Sequence, residues 1–403
     1  MLFSSPLLTS INTIIPPENN GYSVSDLLND IVAIAPSLTS LSLVASQRAG
    51  NRATNHEDAI GTLPQRLERL AILKLPPYFL TSTVLELLSE SQIVAIEFSE
   101  LPGSVDNAGD PRDVSFLRPD FQHGAFPALR RLSICGRLPD LSVLLSDIFF
   151  PAENLVDIVV RSVRSESETD TRLFVKDMVK RCFRLTSVFL LMTRPLEPLA
   201  EWCDEDELEG VVWLEDWANE PLTMETIRPL TTLRDMQRVS IAHARPLNIC
   251  NDDVHFLCSR LSGLRRLILN PVPRFKATCD LTLLSMAHVS SLCPRIRHLA
   301  LYAYPPTLQE QNYLKTVTHF PTGMQLQLHA SPLQVDEQKE VALFLSRILR
   351  PGANFRYIIA PMADADARGY AVKTTSPWAW VIDRVSLMLE AREEERSFVC
   401  PHS

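Results

Sequence analysis

The sequence predicts an α/β repeat solenoid, an array of parallel strands each led into by an amphipathic helix. Three observations carry that expectation. An apolar triplet in the spacing apolar-x-x-apolar-x-apolar recurs along most of the 403-residue chain. Its first positions are Leu38, Leu67, Ile93, Leu129, Leu155, Leu185, Leu208, Met236, Leu264 and Ile296, with steps of 23 to 36 residues. The last two apolar positions of each copy alternate with variable ones, as in a half-buried strand. Ahead of many copies, apolar residues fall at i, i+3, i+4 and i+7, one stripe along a helix. Repetition of this kind outweighs the two or three domains that length alone would suggest.

The elements follow in order. Residues 1–23 read as a partial first repeat or N-terminal edge with a weak strand over 11–15, and the solenoid proper spans 24–361. Leu28, Ile31, Val32 and Ala35 form the first helical stripe, with Asp26 expected as its N-cap, and Leu38-Leu41-Leu43 is its strand. A polar loop at 47–58 leads to Leu67-Leu70-Ile72. After Ile93-Ile96-Phe98, a loop at 101–124 rich in Pro and Gly accounts for the longest step. Leu129-Leu132-Ile134 and Leu155-Ile158-Val160 come next, then a charged stretch at 161–170 that reads as a linker. Val175, Met178, Val179 and Cys182 precede Leu185-Val188-Leu190. An acidic run at 201–209 enters the most degenerate copy, Leu208-Val211-Trp213, which is followed by Met236-Val239-Ile241.

From Asn251 the pattern is most regular. Val254, Leu257, Cys258 and Leu261 precede Leu264-Leu267-Leu269, and Ile296-Leu299-Leu301 follows. Weaker copies lie near Met324-Leu326-Leu328 and Phe355-Ile358, with a helical stripe at Val341, Phe344, Leu345 and Ile348 between them. Residues 362–403 form a loop and a last helix. Ser376 is its expected cap and Pro377 its first position, which suits proline. Trp378, Val381, Ile382, Val385, Met388 and Leu389 are its buried stripe, and it should end near Arg396. Such a helix is expected to close an open solenoid end. The usual handedness of parallel crossovers makes the array a right-handed horseshoe or arc.

Composition narrows function. The formal net charge is −9, which disfavours general nucleic-acid binding. No apolar run reaches spanning length, and the N-terminus lacks a basic region and cleavage site. Eight cysteines in 403 residues are no disulfide framework; they read as buried small side chains in a reducing compartment, cytoplasmic or nuclear. Cys250, His255 and Cys258 do not share one face, so no metal site is expected. Asp204–Glu209 and the pair Asp364 and Asp366 lack the glycine and alternating ligands of a calcium loop. Trp213 and Trp217 read as packing residues. No nucleophile elbow, zinc-protease motif, P-loop or dinucleotide fingerprint is present. The expectation is a non-enzyme without cofactor, acting as a monomer.

The helix–strand units at Leu281–Leu301, with Cys293-Pro294 before the strand, resemble degenerate leucine-rich repeats. With Glu220–Pro229, Val341–Leu349 and the Trp-bearing helix near Trp378–Leu389, the chain is similar to F-box-like proteins of mushroom-forming fungi over about residues 20–395. That resemblance implies a leucine-rich-repeat-like solenoid and substrate recognition in a ubiquitin ligase, through an adaptor of the Skp type. The chain departs from the pattern in two ways. Ser46, Leu75, Leu101, Arg137 and Val272 stand where an Asn ordinarily follows the strand, so no Asn ladder is expected. No F-box is expected ahead of the repeats in this sequence, where the repeat begins near residue 24; Leu75-Pro76-Pro77 with Leu80, Leu85 and Leu88 superficially matches one but lies between two in-phase strands.

Strand side chains alternate between core and the open concave face. The residue before the middle apolar position should face outward, giving the row Ser40, Arg69, Ala95, Arg131, Asp157, Ser187, Gly210, Arg238, Arg266 and His298. The next outward row is Ser42, Ala71, Glu97, Ser133, Val159, Phe189, Val212, Ser240, Ile268 and Ala300, with Leu191 and Leu214 beside it. The candidate partner-binding residues are therefore Arg69, Arg131, Arg238, Arg266 and His298 around an apolar middle of Val159, Phe189 and Val212. They would suit a protein partner with an acidic or amphipathic segment, since Arg matches carboxylates. Strand propensity alone is the alternative account of Val and Phe there.

Overall fold

The computed structural model describes residues 8–15, 23–45, 56–99, 110–164, 166–192, 220–273, 278–307, 310, 318–328, 331–355 and 377–399. They fall in two compact units, Met1–Trp217 and Ala218–Ser403.

In the first unit the described strands are β1 (Ser10–Ile15), β2 (Ser40–Ala45), β3 (Ile72–Leu75), β4 (Ala95–Phe98), β5 (Arg131–Gly136), β6 (Asp157–Ser162) and β7 (Ser187–Met192). Each pairs with the next in chain order, and every pairing is parallel. Parallel neighbours need a crossover between them. Helices α1 (Val24–Ile34), α2 (Glu57–Gly61), α3 (Leu63–Arg66), α4 (Ser82–Ser89), α5 (Leu138–Ser146) and α6 (Glu168–Arg181) lie in those crossovers. The second unit repeats the plan with β8 (Arg238–His243), β9 (Arg266–Leu269), β10 (His298–Leu301), β11 (Gln325–Gln327) and β12 (Asn354–Phe355). Its helices are α7 (Met224–Ile227), α8 (Asn251–Arg260), α9 (Ser285–Leu292), α10 (Gln338–Ile348) and α11 (Pro377–Val399). The solenoid-like α/β plan read from the sequence is present in both units. The copy at Leu208-Val211-Trp213 lies outside the described residues.

The core is the stack of inward strand positions against the helical stripes. Leu41, Leu73, Ile158 and Val188 in the first unit, and Val239, Leu267 and Leu299 in the second, are fully buried. Val254, Leu257, Cys258 and Leu261 of α8 and Val341, Phe344, Leu345 and Ile348 of α10 are buried as their spacing required. Successive helices pack on one another, α5 on α6 and α8 on α9. Gly61 permits one such approach: a Cβ there would stand 2.5 Å from Leu87.

The structure corrects the sequence reading at three places. The N-cap of α1 is Ser23, whose Oγ accepts the Asp26 N–H at 3.1 Å; Asp26 returns the bond to the Ser23 N–H at 3.0 Å. A capping box satisfies two helix-end donors where one cap satisfies one, and those bonds from Ser23 hold the Asp26 carboxyl below its usual range. The second correction is one of register. Ile72 pairs with Ser40 and Leu73 with Leu41, so the triplet of β3 is Leu70-Leu73-Leu75. Both triplets satisfy the same template, three residues apart, and only pairing distinguishes them. Third, 161–170 is no linker. It holds the end of β6, a buried Glu166, and the start of α6 capped by Ser167, whose Oγ accepts the Asp170 N–H at 3.0 Å. The stretch 110–124, a loop apart from one short turn at Pro111–Val114, packs against the core. Val114, Leu117 and Phe121 are buried, and Phe121 stacks against Phe150 at 5.5 Å.

The F-box-like stretch is spent inside a crossover. Leu75 ends β3, Tyr78, Phe79 and Leu80 are buried, and Thr81 caps α4. The last helix starts at Pro377 as expected. Trp378, Val381, Val385 and Leu389 are buried, whereas Ile382 and Met388 are half-buried. It packs against α10, and the Trp378 indole donates to the Ser331 carbonyl at 2.8 Å. Its expected cap Ser376 lies outside the described residues.

Candidate functional site

The outward face of each unit follows from strand pairing. In the first unit the pairings align Ser40, Ile72, Ala95, Arg131, Asp157 and Ser187 in one row. Ile72 takes the place assigned to Arg69. Arg69 stands in the turn ahead of β3, exposed, and is no member of the row. The second row is Ser42, Lys74, Glu97, Val159 and Phe189, with Ser133 between Glu97 and Val159 in strand order. Lys74, not Ala71, precedes Glu97 there.

Charge on this face is internally matched. Glu97 accepts from the Lys74 Nζ at 3.0 Å on one side and the Arg131 guanidinium at 2.6 Å on the other. Arg131 therefore reaches a carboxylate of its own chain. Val159 and Phe189 are direct neighbours on β6 and β7, half-buried, with Leu191 half-buried two residues on. Val212 and Leu214 lie outside the described residues.

In the second unit Arg238, Arg266 and His298 are aligned pairwise across β8, β9 and β10. Arg238 is exposed; Arg266 and His298 are half-buried. The row continues through Gln325 and Asn354. The next row, Ser240, Ile268 and Ala300, is buried.

No family model matches the chain, and no curated protein does. A solved structure from Bacteroides fragilis is similar over 80% of this chain and 75% of its own, at 10% identity and a TM-score of 0.39. Among the described residues no three His, Cys, Asp or Glu side chains converge as metal ligands, and no helix is long and apolar enough to cross a membrane. His255 is exposed and meets His288 edge-on at 5.0 Å, while Cys258 is buried beside Cys293. Burial pushes the Cys182 thiol up to about 12. A hydrogen bond with Cys293 and burial likewise hold the Cys258 thiol well above its usual range. Thiols so placed are poor nucleophiles.

Two polar groups at the strand ends were not legible as special. Asn270 follows β9 directly with a φ of +45°. Its Oδ1 accepts the His243 N–H at 3.0 Å and its Nδ2 donates to the Arg245 carbonyl. Asn270 thus closes one turn, standing one residue after the last apolar position rather than three. His243 completes the turn: its Nδ1 accepts the Arg245 N–H at 3.1 Å, and burial holds the imidazole below its usual range, hence neutral. Ser331 does similar work after β11, accepting the Ala303 N–H at 3.0 Å and donating to the Leu301 carbonyl at 3.2 Å.

Glu166 is the second. Its Oε1 accepts the N–H of Leu138, the first residue of α5, and the Ser162 hydroxyl, both at 3.1 Å. Arg164 lies 3.5 Å from its Oε2. Burial raises the carboxyl above its ordinary range, against the pull of the Leu138 bond and of Arg164. A carboxyl raised in the fold favours folding most when protonated. The stability it contributes is complete below the ordinary glutamate range of about 4.3 and is lost as pH rises through the raised value. Glu166→Gln keeps an acceptor for Leu138 without the charge. Denaturant titrations from pH 4 to 8 should show a flatter stability profile for the Gln variant than for wild type. Glu166→Ala, which orphans the Leu138 N–H, should lose about 1–3 kcal/mol. A Gln profile parallel to wild type would show that Glu166 does not set the pH dependence.

Proposed function

We propose that the chain is a protein-interaction module whose contact surface is the outward face of its parallel strands. The observation that carries the proposal is the aligned row Arg238, Arg266 and His298, held at strand spacing by backbone pairing. Two guanidinium groups and an imidazole in one row suit a partner segment bearing carboxylates. In the first unit Arg131 meets Glu97, and the half-buried pair Val159 and Phe189 lies on the same face. The long helix α11, buried along one face against α10, serves in this reading as the closing element of the second unit. The resemblance to F-box-like proteins makes the bound partner a ligase substrate; that step rests on the resemblance.

The test is affinity purification of the chain from its native cells, with mass spectrometry of what is retained. A specific partner should bind the Arg238→Glu, Arg266→Glu double variant about tenfold more weakly or worse, because like charges would then face each other. Unchanged binding removes the cationic row from the interface. Recovery of a Skp-type adaptor with a cullin supports the ligase role. Other specific proteins without that machinery make it a stand-alone module. Failure to retain any specific protein favours the alternative, a structural or vestigial repeat protein.

A further inference from the structure

On the rim where helices turn into strands, the second unit carries a cavity of about 320 Å³ lined by Arg265, Pro294, Arg295, Arg297 and Pro321. We propose that this cavity is a binding site for a phosphate group, separate from the outward strand face. Its construction begins with the repeat. Arg265 and Arg297 each stand one residue before a strand. The Arg265 N–H donates to the Gln237 carbonyl at 2.7 Å, and the Arg297 N–H to the Arg265 carbonyl at 2.8 Å. The same ladder continues as the Gln325 N–H donates to the Arg297 carbonyl at 2.8 Å. Backbone bonding therefore fixes the two arginines on neighbouring rungs, at the strand spacing of about 4.8 Å. Arg295 comes from the turn after α9, closed by the Ile296 N–H on the Cys293 carbonyl at 3.0 Å. Pro294 and Pro321 stiffen the two turns that form the walls, since each ring fixes its own φ.

The charge arrangement calls for an anion. All three arginines are exposed, and each presents a planar guanidinium fork of donors. Arg112, Arg131, Arg164 and Arg228 meet carboxylates of this chain. Among the described residues none of Arg265, Arg295 and Arg297 makes an ion pair. Three arginines without an ion pair among the described residues thus line one cavity in a chain of net charge −9. Mutual repulsion makes this cluster unfavourable on its own, and a bound anion would relieve it. A carboxylate offers two oxygens in one plane and a single charge. A phosphate group presents oxygens in three directions and up to two charges, so it can be shared by forks approaching from three sides. Three arginines and two prolines give no broad apolar wall for the rest of a ligand. The phosphate itself is therefore the recognised part, whether free or as a monoester whose remainder points to solvent.

The experiment is calorimetric titration of the full chain with inorganic phosphate and with glycerol phosphate, at ionic strength held constant with chloride. Saturable binding of at least one is expected, about tenfold weaker or worse in Arg295→Gln, Arg297→Gln and unchanged in Arg347→Gln, an exposed arginine on α10. Equal affinity for both probes assigns the site to the bare anion; tighter binding of glycerol phosphate assigns it to monoesters. Should the double Gln variant fail to fold, Arg295→Lys, Arg297→Lys keeps the charge but removes the forks, and weaker binding is again expected. Phosphate that does no better than chloride, or variants that bind as wild type does, would overturn the assignment.

Discussion

Leu73→Ala and Leu267→Ala are each expected to cost about 2–5 kcal/mol, whereas Ile72→Ala should cost about 1 kcal/mol or less. Leu73 and Leu267 occupy the same middle apolar position of the repeat, in β3 and β9, and both are fully buried. Each sits between inward residues of the neighbouring strands: Leu41 and Ile96 flank Leu73, and Val239 and Leu299 flank Leu267. Truncation leaves a cavity that cannot collapse, because the strands on either side are held by their own ladders. Ile72 lies one residue earlier and faces outward, half-buried, so it loses less contact. The comparison is sharp because the apolar pattern alone puts Ile72 in the core as the third member of its triplet. Denaturant midpoints of the three variants decide it. Equal losses for Ile72→Ala and Leu73→Ala would restore the pattern-based register, and a neutral Leu267→Ala would contradict the repeat assignment in the second unit.

That ambiguity shows which parts of the fold the sequence could reveal. Triplet spacing located β2 and β4 through β10 among the described strands, because an inward strand position tolerates little but Leu, Ile and Val. The α8 and α10 stripes were equally plain. At Leu67–Leu75 two overlapping triplets fit, and no local signal ranks them, since register is fixed by hydrogen bonds to another strand. Arg69 entered the candidate row by that slip alone. Charge posed a different difficulty. Arg131 meets Glu97 on a neighbouring strand one row on, and sequence distance hides such pairs. Glu166 looks like any other carboxylate in RSVRSESETD, and only the fold brings the first N–H of α5 to it. The rim arginines were hidden in another way. They stand next to the strand positions that drew attention, Arg265 beside Arg266 and Arg297 beside His298, and only the turns bring Arg295 to them.

Asn270 offers the test with the finest discrimination. Asn270→Ala is expected to destabilise the second unit by about 2–4 kcal/mol, and Asn270→Gly by about 1 kcal/mol less than that. Two separate effects combine in the alanine variant. It removes the acceptor of the His243 N–H, a buried donor at the end of β8, and an orphaned buried N–H costs about 1–3 kcal/mol. It also places a Cβ-bearing residue without a polar side chain at a φ of +45°, in the left-handed region that Asn tolerates through local hydrogen bonding and alanine does not. Glycine restores the backbone but not the bond, so the difference between the two variants isolates conformational strain. Asn270→Asp keeps an oxygen for His243 and loses the donation to Arg245. Hydrogen exchange at the His243 amide separates the two effects: protection should fall in the Ala and Gly variants and persist in the Asp variant. If protection is unchanged in all three, the rung is decorative and the β8–β9 turn is held by packing of Ala244 and Leu247, both buried beside it.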